Sequence, residues 1–173
     1  CTGQMGLDIC KEEADATAEA FGQVISADSV LLASTGIIGL QLPIEKMKNA
    51  ISEMVPKLEA SEAAATAASK AIMTTDTTNK EFALEFTIGG KKVHLGGMTK
   101  GSGMIHPQMC TMICFLTTDL SITKELLQKA LSENVVDTFN MISVDGDTST
   151  NDTCVILTNG AAENPIIETE GED

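Results

Sequence analysis

The sequence predicts an α+β fold on three observations: a period-two apolar stretch that turns on a glycine pair, amphipathic stretches with helical spacing on both sides of it, and a mixed order of helices and strands. The first is the clearest. Phe82, Leu84, Phe86 and Ile88 alternate with Ala83, Glu85 and Thr87, and Gly89-Gly90 then leads into Lys91 to Leu95, the signature of a β-hairpin.

The helical readings follow in chain order. From Leu7 to Phe21, Cys10, Ala14, Ala18 and Phe21 fall on one face, Glu12, Asp15 and Glu19 on the other, and Gly22 supplies a stop. Val30-Leu31-Leu32, within Ser29 to Ala33, reads as a buried strand running into a tight turn at Ser34-Thr35-Gly36. Pro43 suits the first turn of a second helix carrying Met47, Ile51 and Met54 on one side, and an alanine-rich helix follows from about Ser61 to Met73. Beyond the hairpin, Gly96 to Pro107 reads as loop and Met109 to Leu116 as a buried strand. A helix from about Thr123 to Phe139 and strands near Met141 and over Thr153 to Leu157 complete the pattern.

Composition bounds the function. With 173 residues and 43% hydrophobic content, the chain can bury the core of an ordinary domain. No stretch approaches the roughly 18 to 20 uninterrupted apolar residues of a membrane span, and Cys1-Thr2-Gly3-Gln4 has no signal-peptide pattern, so a cytoplasmic protein without membrane partners is expected. A net charge of -14, with eleven lysines and no arginine, opposes binding to nucleic acid. The five cysteines, odd in number and without paired ligand spacing, read as reduced thiols, with neither a disulfide framework nor a metal site. No repeat, low-complexity linker or composition break divides the chain, which reads as one partial domain over residues 1–173. It opens without methionine and closes on Glu168, Glu170, Glu172 and Asp173, so both ends read as cut from something longer.

Three tempting motifs fail on inspection. Asp145-Gly146-Asp147 suggests a calcium loop, yet Thr150 stands where its glycine belongs and Ile156 where its bidentate glutamate belongs. Gly96 to Gly101 is not a phosphate loop, because Lys100 is followed by glycine instead of serine or threonine. Asn151-Asp152-Thr153 matches a glycosylation sequon, a pattern frequent by chance. His94 and His106 are expected to be structural.

The most informative segment is Lys100-Gly101-Ser102-Gly103-Met104-Ile105-His106-Pro107-Gln108-Met109-Cys110-Thr111-Met112, a glycine-rich loop feeding an apolar strand with threonine at its entrance. Taken alone, Thr111 is an ordinary β-branched strand residue, since an unassisted hydroxyl is a poor nucleophile. Likewise Thr35-Gly36 alone is a strand-ending turn in which glycine permits a positive φ, Lys100 a solvated loop lysine and Thr74 a helix-end residue.

The motif changes that reading. Together with Phe115-Leu116-Thr117-Thr118-Asp119 it resembles the self-cleavage motif of the ornithine acetyltransferase family, and three further blocks resemble the same family in the same order. They are Ala33-Ser34-Thr35-Gly36-Ile37-Ile38-Gly39, Ile72-Met73-Thr74-Thr75-Asp76-Thr77, and Val144-Asp145-Gly146-Asp147-Thr148-Ser149-Thr150-Asn151-Asp152. The resemblance covers essentially the whole chain, and because family members are longer it implies an internal fragment.

What the resemblance implies is specific. The fold would be a layered α/β/β/α sandwich, cut between Cys110 and Thr111, with 1–110 ending an α chain and 111–173 beginning a β chain. Thr111 would be the nucleophile, and the α-amine freed by cutting, of reference pKa roughly 7.7 to 8, its general base. Thr35 and Gly36 match the oxyanion-hole pair, and Thr74, Lys100 and Thr111 match substrate contacts, Lys100 offering charge to a carboxylate. The activity would be ping-pong transfer of acetyl from N-acetyl-L-ornithine to L-glutamate in arginine biosynthesis. No cofactor is implied; acetyl-coenzyme A is an additional acetyl donor in some relatives. An α2β2 heterotetramer is the expected assembly, and the fragment alone is expected to be inactive. Cys110 departs from the family's usual alanine, which bears on the rate of cutting. A related self-processing aminopeptidase and a non-processing structural remnant are the competing readings.

Overall fold

The computed structural model describes residues 2–106 and 109–171, with only the backbone described at 109 and 110. The chain divides into two compact units, Cys1–Ala64 and Ala65–Asp173.

In the first unit, helix α1 spans Gly3–Ala20 and buries Gly6, Ile9, Ala14 and Ala18, a stripe at helical spacing. It stops where expected: Gly22 takes φ 65 and Gln23 φ 62, and the Gln23 N–H bonds the Ala18 carbonyl at 2.9 Å. Helix α2 spans Ile44–Met54, with Pro43 one residue outside it, and Lys48 ties it to α1 through a 2.8 Å ion pair with Glu12. The strand expected over Ser29 to Ala33 is absent. Ala27–Ser29 form a 3-10 turn and the following residues run irregularly, with Leu31 exposed. Three apolar residues make a strand only where another strand takes up their backbone groups, which sequence periodicity cannot reveal.

In the second unit, strands β1 (Lys80–Ile88) and β2 (Lys91–Lys100) form the expected hairpin, its Gly89-Gly90 turn lying at φ 56 and 74. Helix α3, Glu62–Ala71, crosses the division between units, and its Ser69 and Thr66 hydroxyls donate to the Glu81 carboxylate of β1. The sheet is completed by β5 (Ile113–Thr118) and β6 (Thr153–Thr158) in the order β1-β2-β5-β6, with β5 and β6 parallel. A two-stranded ribbon, β3 (Ile105–His106) against β4 (Met109–Cys110), precedes β5, and helix α4 (Lys124–Asp137), capped by Thr123, fills the β5 to β6 crossover.

Three sequence expectations need correction here. The loop expected from Gly96 is strand as far as Lys100. Gly97 is small because a Cβ there would come within 2.5 Å of the Phe82 ring and 2.7 Å of Leu116, so the glycine marks close packing inside a strand and not a turn. The single strand expected from Met109 to Leu116 is two strands, interrupted at Thr111-Met112. The strand expected near Met141 is a 3-10 turn, Phe139–Met141.

Cys10, Cys114 and Cys154 are free thiols, and Cys114 sits in register with Cys154 across β5 and β6. Cys114 joins Ile105 and Met112 in the buried cluster against which Leu116, Phe139 and Cys154 pack. The His94 backbone N–H donates to one Asp119 carboxylate oxygen at 2.8 Å and its ring Nδ1 meets the other at 2.7 Å, a pairing that raises its pKa above the usual histidine value. Among the described residues no helix is long and apolar enough to cross a membrane.

Candidate functional site

Strand β2 ends on Lys100, directly opposite Ile113 at the start of β5. The side chain is turned inward: Lys100 is 1% exposed, and its ammonium has no hydrogen-bond partner among the described residues. Burial lowers its pKa, and the neighbouring Asp76 charge pulls the other way.

Asp76 organises the surrounding backbone. Its buried carboxylate accepts the Gly101 N–H at 2.9 Å, the Thr74 N–H at 3.4 Å and the Lys80 ammonium at 2.5 Å, while Lys80 also donates to the Gly101 carbonyl at 3.2 Å. Burial opposes its ionisation, but these hydrogen bonds and the Lys80 charge outweigh that and hold its pKa below the usual aspartate value. The turn bearing exposed Thr74 is thereby fastened to the residue after Lys100. Thr75 and Ser102 add a 2.6 Å hydroxyl contact between the same two segments.

Gly101 brings the chain against the nucleophile candidate. At φ 151 it lies where side chains are disfavoured, and a Cβ there would stand 2.9 Å from the Thr111 carbonyl oxygen. We expect Gly101→Ala to destabilise this end of the unit by about 1 to 3 kcal/mol, because the added Cβ must push the Thr111 carbonyl away. Thermal melts of the full-length protein and its Gly101→Ala variant check this, and an unchanged melting temperature contradicts it.

Thr111 lies between β4 and β5. Its N–H bonds the Met104 carbonyl at 2.9 Å, and its hydroxyl donates to Ser149 Oγ at 3.0 Å. Met104 has φ 55, a left-handed conformation rare for such a residue, and its N–H and that of Ile105 are held by the Asp145 carboxylate at 2.7 and 3.1 Å. These backbone bonds, that from Met104 first, keep the Asp145 pKa low. Pro107 and Gln108 lie outside the described residues, as does the side chain of Cys110.

Thr74, Lys100 and Thr111 therefore share one end of the second unit, linked through Asp76 and Gly101. Thr35 and Gly36 lie in the first unit, both exposed, in irregular chain ahead of a turn in which Leu40 N–H bonds the Ile37 carbonyl at 3.0 Å. That turn uses Gly39 at φ 82, whereas Gly36 is not left-handed, so turn geometry does not explain Gly36. Asp76, Asp145 and Ser149 were missed as site-building residues. All three stand inside the motif blocks, and the Asp145-Gly146 pair was a signal for a carboxylate that caps its own loop.

The ArgJ family profile matches residues 1–172. The chain belongs to the ArgJ family. It is 51% identical to the arginine biosynthesis bifunctional protein ArgJ of Listeria monocytogenes, over 97% of this chain and 41% of that protein. It is 48% identical to arginine biosynthesis bifunctional protein ArgJ 1 of Clostridium acetobutylicum, over 100% of this chain and 41% of the relative. The crystal structure of the Bacillus halodurans ArgJ protein aligns with a TM-score of 0.56 at 40% identity, covering 62% of this chain and 55% of that one. The α+β class is thus that of a solved ArgJ structure, and the chain spans about two fifths of the length of the curated ArgJ relatives it matches.

Proposed function

We propose that the protein to which this chain belongs is a self-cleaving acyltransferase that moves acetyl from N-acetyl-L-ornithine to L-glutamate in arginine biosynthesis. The observation that carries this reading is the setting of Thr111: a hydroxyl at a strand break, hydrogen-bonded to Ser149, its own N–H held by Met104, and Gly101 packed against its carbonyl.

In the cutting step Thr111 Oγ attacks the Cys110 carbonyl carbon, the Cys110–Thr111 C–N bond breaks, and the hydroxyl proton ends on the Thr111 nitrogen. Water hydrolyses the resulting ester, leaving a carboxylate at Cys110 and restoring the hydroxyl beside a free α-amine. An amine of reference pKa roughly 7.7 to 8 is a competent base for the adjacent hydroxyl near neutral pH. Cutting thus creates the catalyst, with 1–110 closing the α chain and 111–173 opening the β chain.

In turnover the Thr111 hydroxyl takes acetyl from N-acetylornithine, releasing ornithine, and the glutamate amine then takes it from the acetyl-Thr111 ester. Thr35 and Gly36 serve as oxyanion donors, each worth roughly 3 to 4 kcal/mol in acyl transfer. Lys100, a buried cation lacking an acceptor among the described residues, receives a substrate carboxylate, and Thr74 lines the same end. Acetyl-coenzyme A is an additional acetyl donor, the assembly is α2β2, and the location is cytoplasmic. Residues 1–173 alone do not complete either substrate site.

The test is to incubate the processed full-length protein with N-acetylornithine and glutamate. N-acetylglutamate should form faster than free acetate. Peptide hydrolysis without acetyl transfer would make it a related aminopeptidase, and absence of both activities defeats the reading.

A further inference from the structure

We propose that Ser149 is the positioning residue of the cut site, the acceptor that sets the direction of the Thr111 hydroxyl before and after cleavage. The proposal rests on the reading of Thr111 as nucleophile.

A threonine hydroxyl has three staggered wells, and at a strand break nothing in the backbone dictates which one aims it at the preceding carbonyl. Ser149 supplies that choice. It is 4% exposed, and its Oγ accepts both the Thr111 hydroxyl at 3.0 Å and the Asn151 N–H at 3.0 Å. The Asn151 bond fixes Oγ to the loop backbone, so the acceptor that Thr111 meets is preset. With its proton committed to Ser149, the Thr111 oxygen keeps its lone pairs for attack.

The loop that presents Ser149 is stitched to both flanks of the bond to be cut. On the upstream flank Asp145 holds the Met104 and Ile105 N–H groups, and Val144 N–H bonds the Ile105 carbonyl at 2.9 Å. On the downstream flank Thr153 N–H bonds the Met112 carbonyl at 3.0 Å. Asp145 also accepts the Asp147 N–H at 3.2 Å, closing the loop on itself. None of these bonds involves the Cys110–Thr111 peptide, so the loop's contacts with Met104, Ile105 and Met112 do not depend on that peptide being intact. A serine hydroxyl is too weak a base to retain the threonine proton, and Ser149 therefore orients the nucleophile without deprotonating it.

The experiment compares full-length wild type, Thr111→Ala, Ser149→Ala and Ser149→Thr. Cutting is followed by mass spectrometry, and kcat and KM for acetyl transfer are measured on the cut fraction across pH. Ser149→Ala should cut about 10- to 100-fold more slowly and lose kcat by a similar factor with KM unchanged. Ser149→Thr should restore both, and the apparent pKa of the rate should not move. If Ser149→Ala does not fold, Ser149→Cys decides by the same readings, the thiol being a poorer acceptor of similar size. Wild-type cutting and kcat in the Ala or Cys variant, with Thr111→Ala uncut, overturns the role of Ser149 alone. A wild type that stays uncut, or a Thr111→Ala that is cut, overturns the nucleophile reading beneath it.

Discussion

Thr111→Ala in the full-length protein is expected to yield one uncut chain and to lower acetyl transfer by at least about 10^4-fold. Two losses coincide. Alanine has no oxygen to attack the Cys110 carbonyl, so the ester never forms and the α-amine is never released. Even a chain cut by other means would have no acceptor for the acetyl group. Removing a nucleophile commonly costs as much as removing the whole group it works with, which is why the effect should exceed that of any neighbour. Folding should survive, because Thr111 is only partly buried and forfeits one hydroxyl contact to Ser149. Thr111→Ser, which keeps the hydroxyl, should still be cut. Mass spectrometry of the purified protein and an N-acetylglutamate assay decide both points, and two chains in the alanine variant would contradict the prediction.

The second large effect is expected on stability. Asp76→Ala should cost about 2 to 3 kcal/mol and lower the melting temperature of the full-length protein by several degrees. The side chain of Asp76 is completely buried, so its loss strands the Gly101 and Thr74 N–H groups and removes the nearby negative charge that favours a protonated Lys100. Lys80 is 44% exposed and can turn to water, which keeps the cost below that of a fully buried pair. The sign of the pH dependence follows from the depressed pKa. The stabilisation is complete above the unfolded aspartate value of about 3.9 and is lost as pH falls through the lower folded value. Thermal melts of wild type and Asp76→Ala should therefore differ most near neutrality and converge in acid; a constant difference would contradict the assignment.

Much of this architecture was legible in the residues. The β1-β2 hairpin came from unbroken alternation and a glycine pair, and α1 from a four-residue repeat of small apolar side chains with Gly22 behind it. The errors share one physical origin. Val30-Leu31-Leu32 is apolar but finds no ladder, and Gly96-Gly97 resembles a turn but lies within a strand under Phe82. Both outcomes depend on neighbours distant in the chain, which local periodicity does not encode. For the site, spacing alone assigned nothing to Thr111, and the block resemblance singled it out. Asp76 and Ser149 were passed over because their roles are to hold other residues, and such roles exist only once Gly101 and Thr111 are brought beside them.

The burial of Lys100 also bears on the acidity range in which the proposed acetyl transfer can run. The transfer needs the Thr111 amine neutral and the Lys100 ammonium charged, and the two requirements oppose each other as alkali is added. An ordinary lysine would leave a broad plateau between those two titrations; a desolvated one loses its proton earlier and narrows it. A bell-shaped profile of kcat/KM follows, rising as the amine deprotonates and descending before an exposed lysine would discharge. The descending limb should move to higher pH when arginine replaces Lys100 and the carboxylate is still accepted.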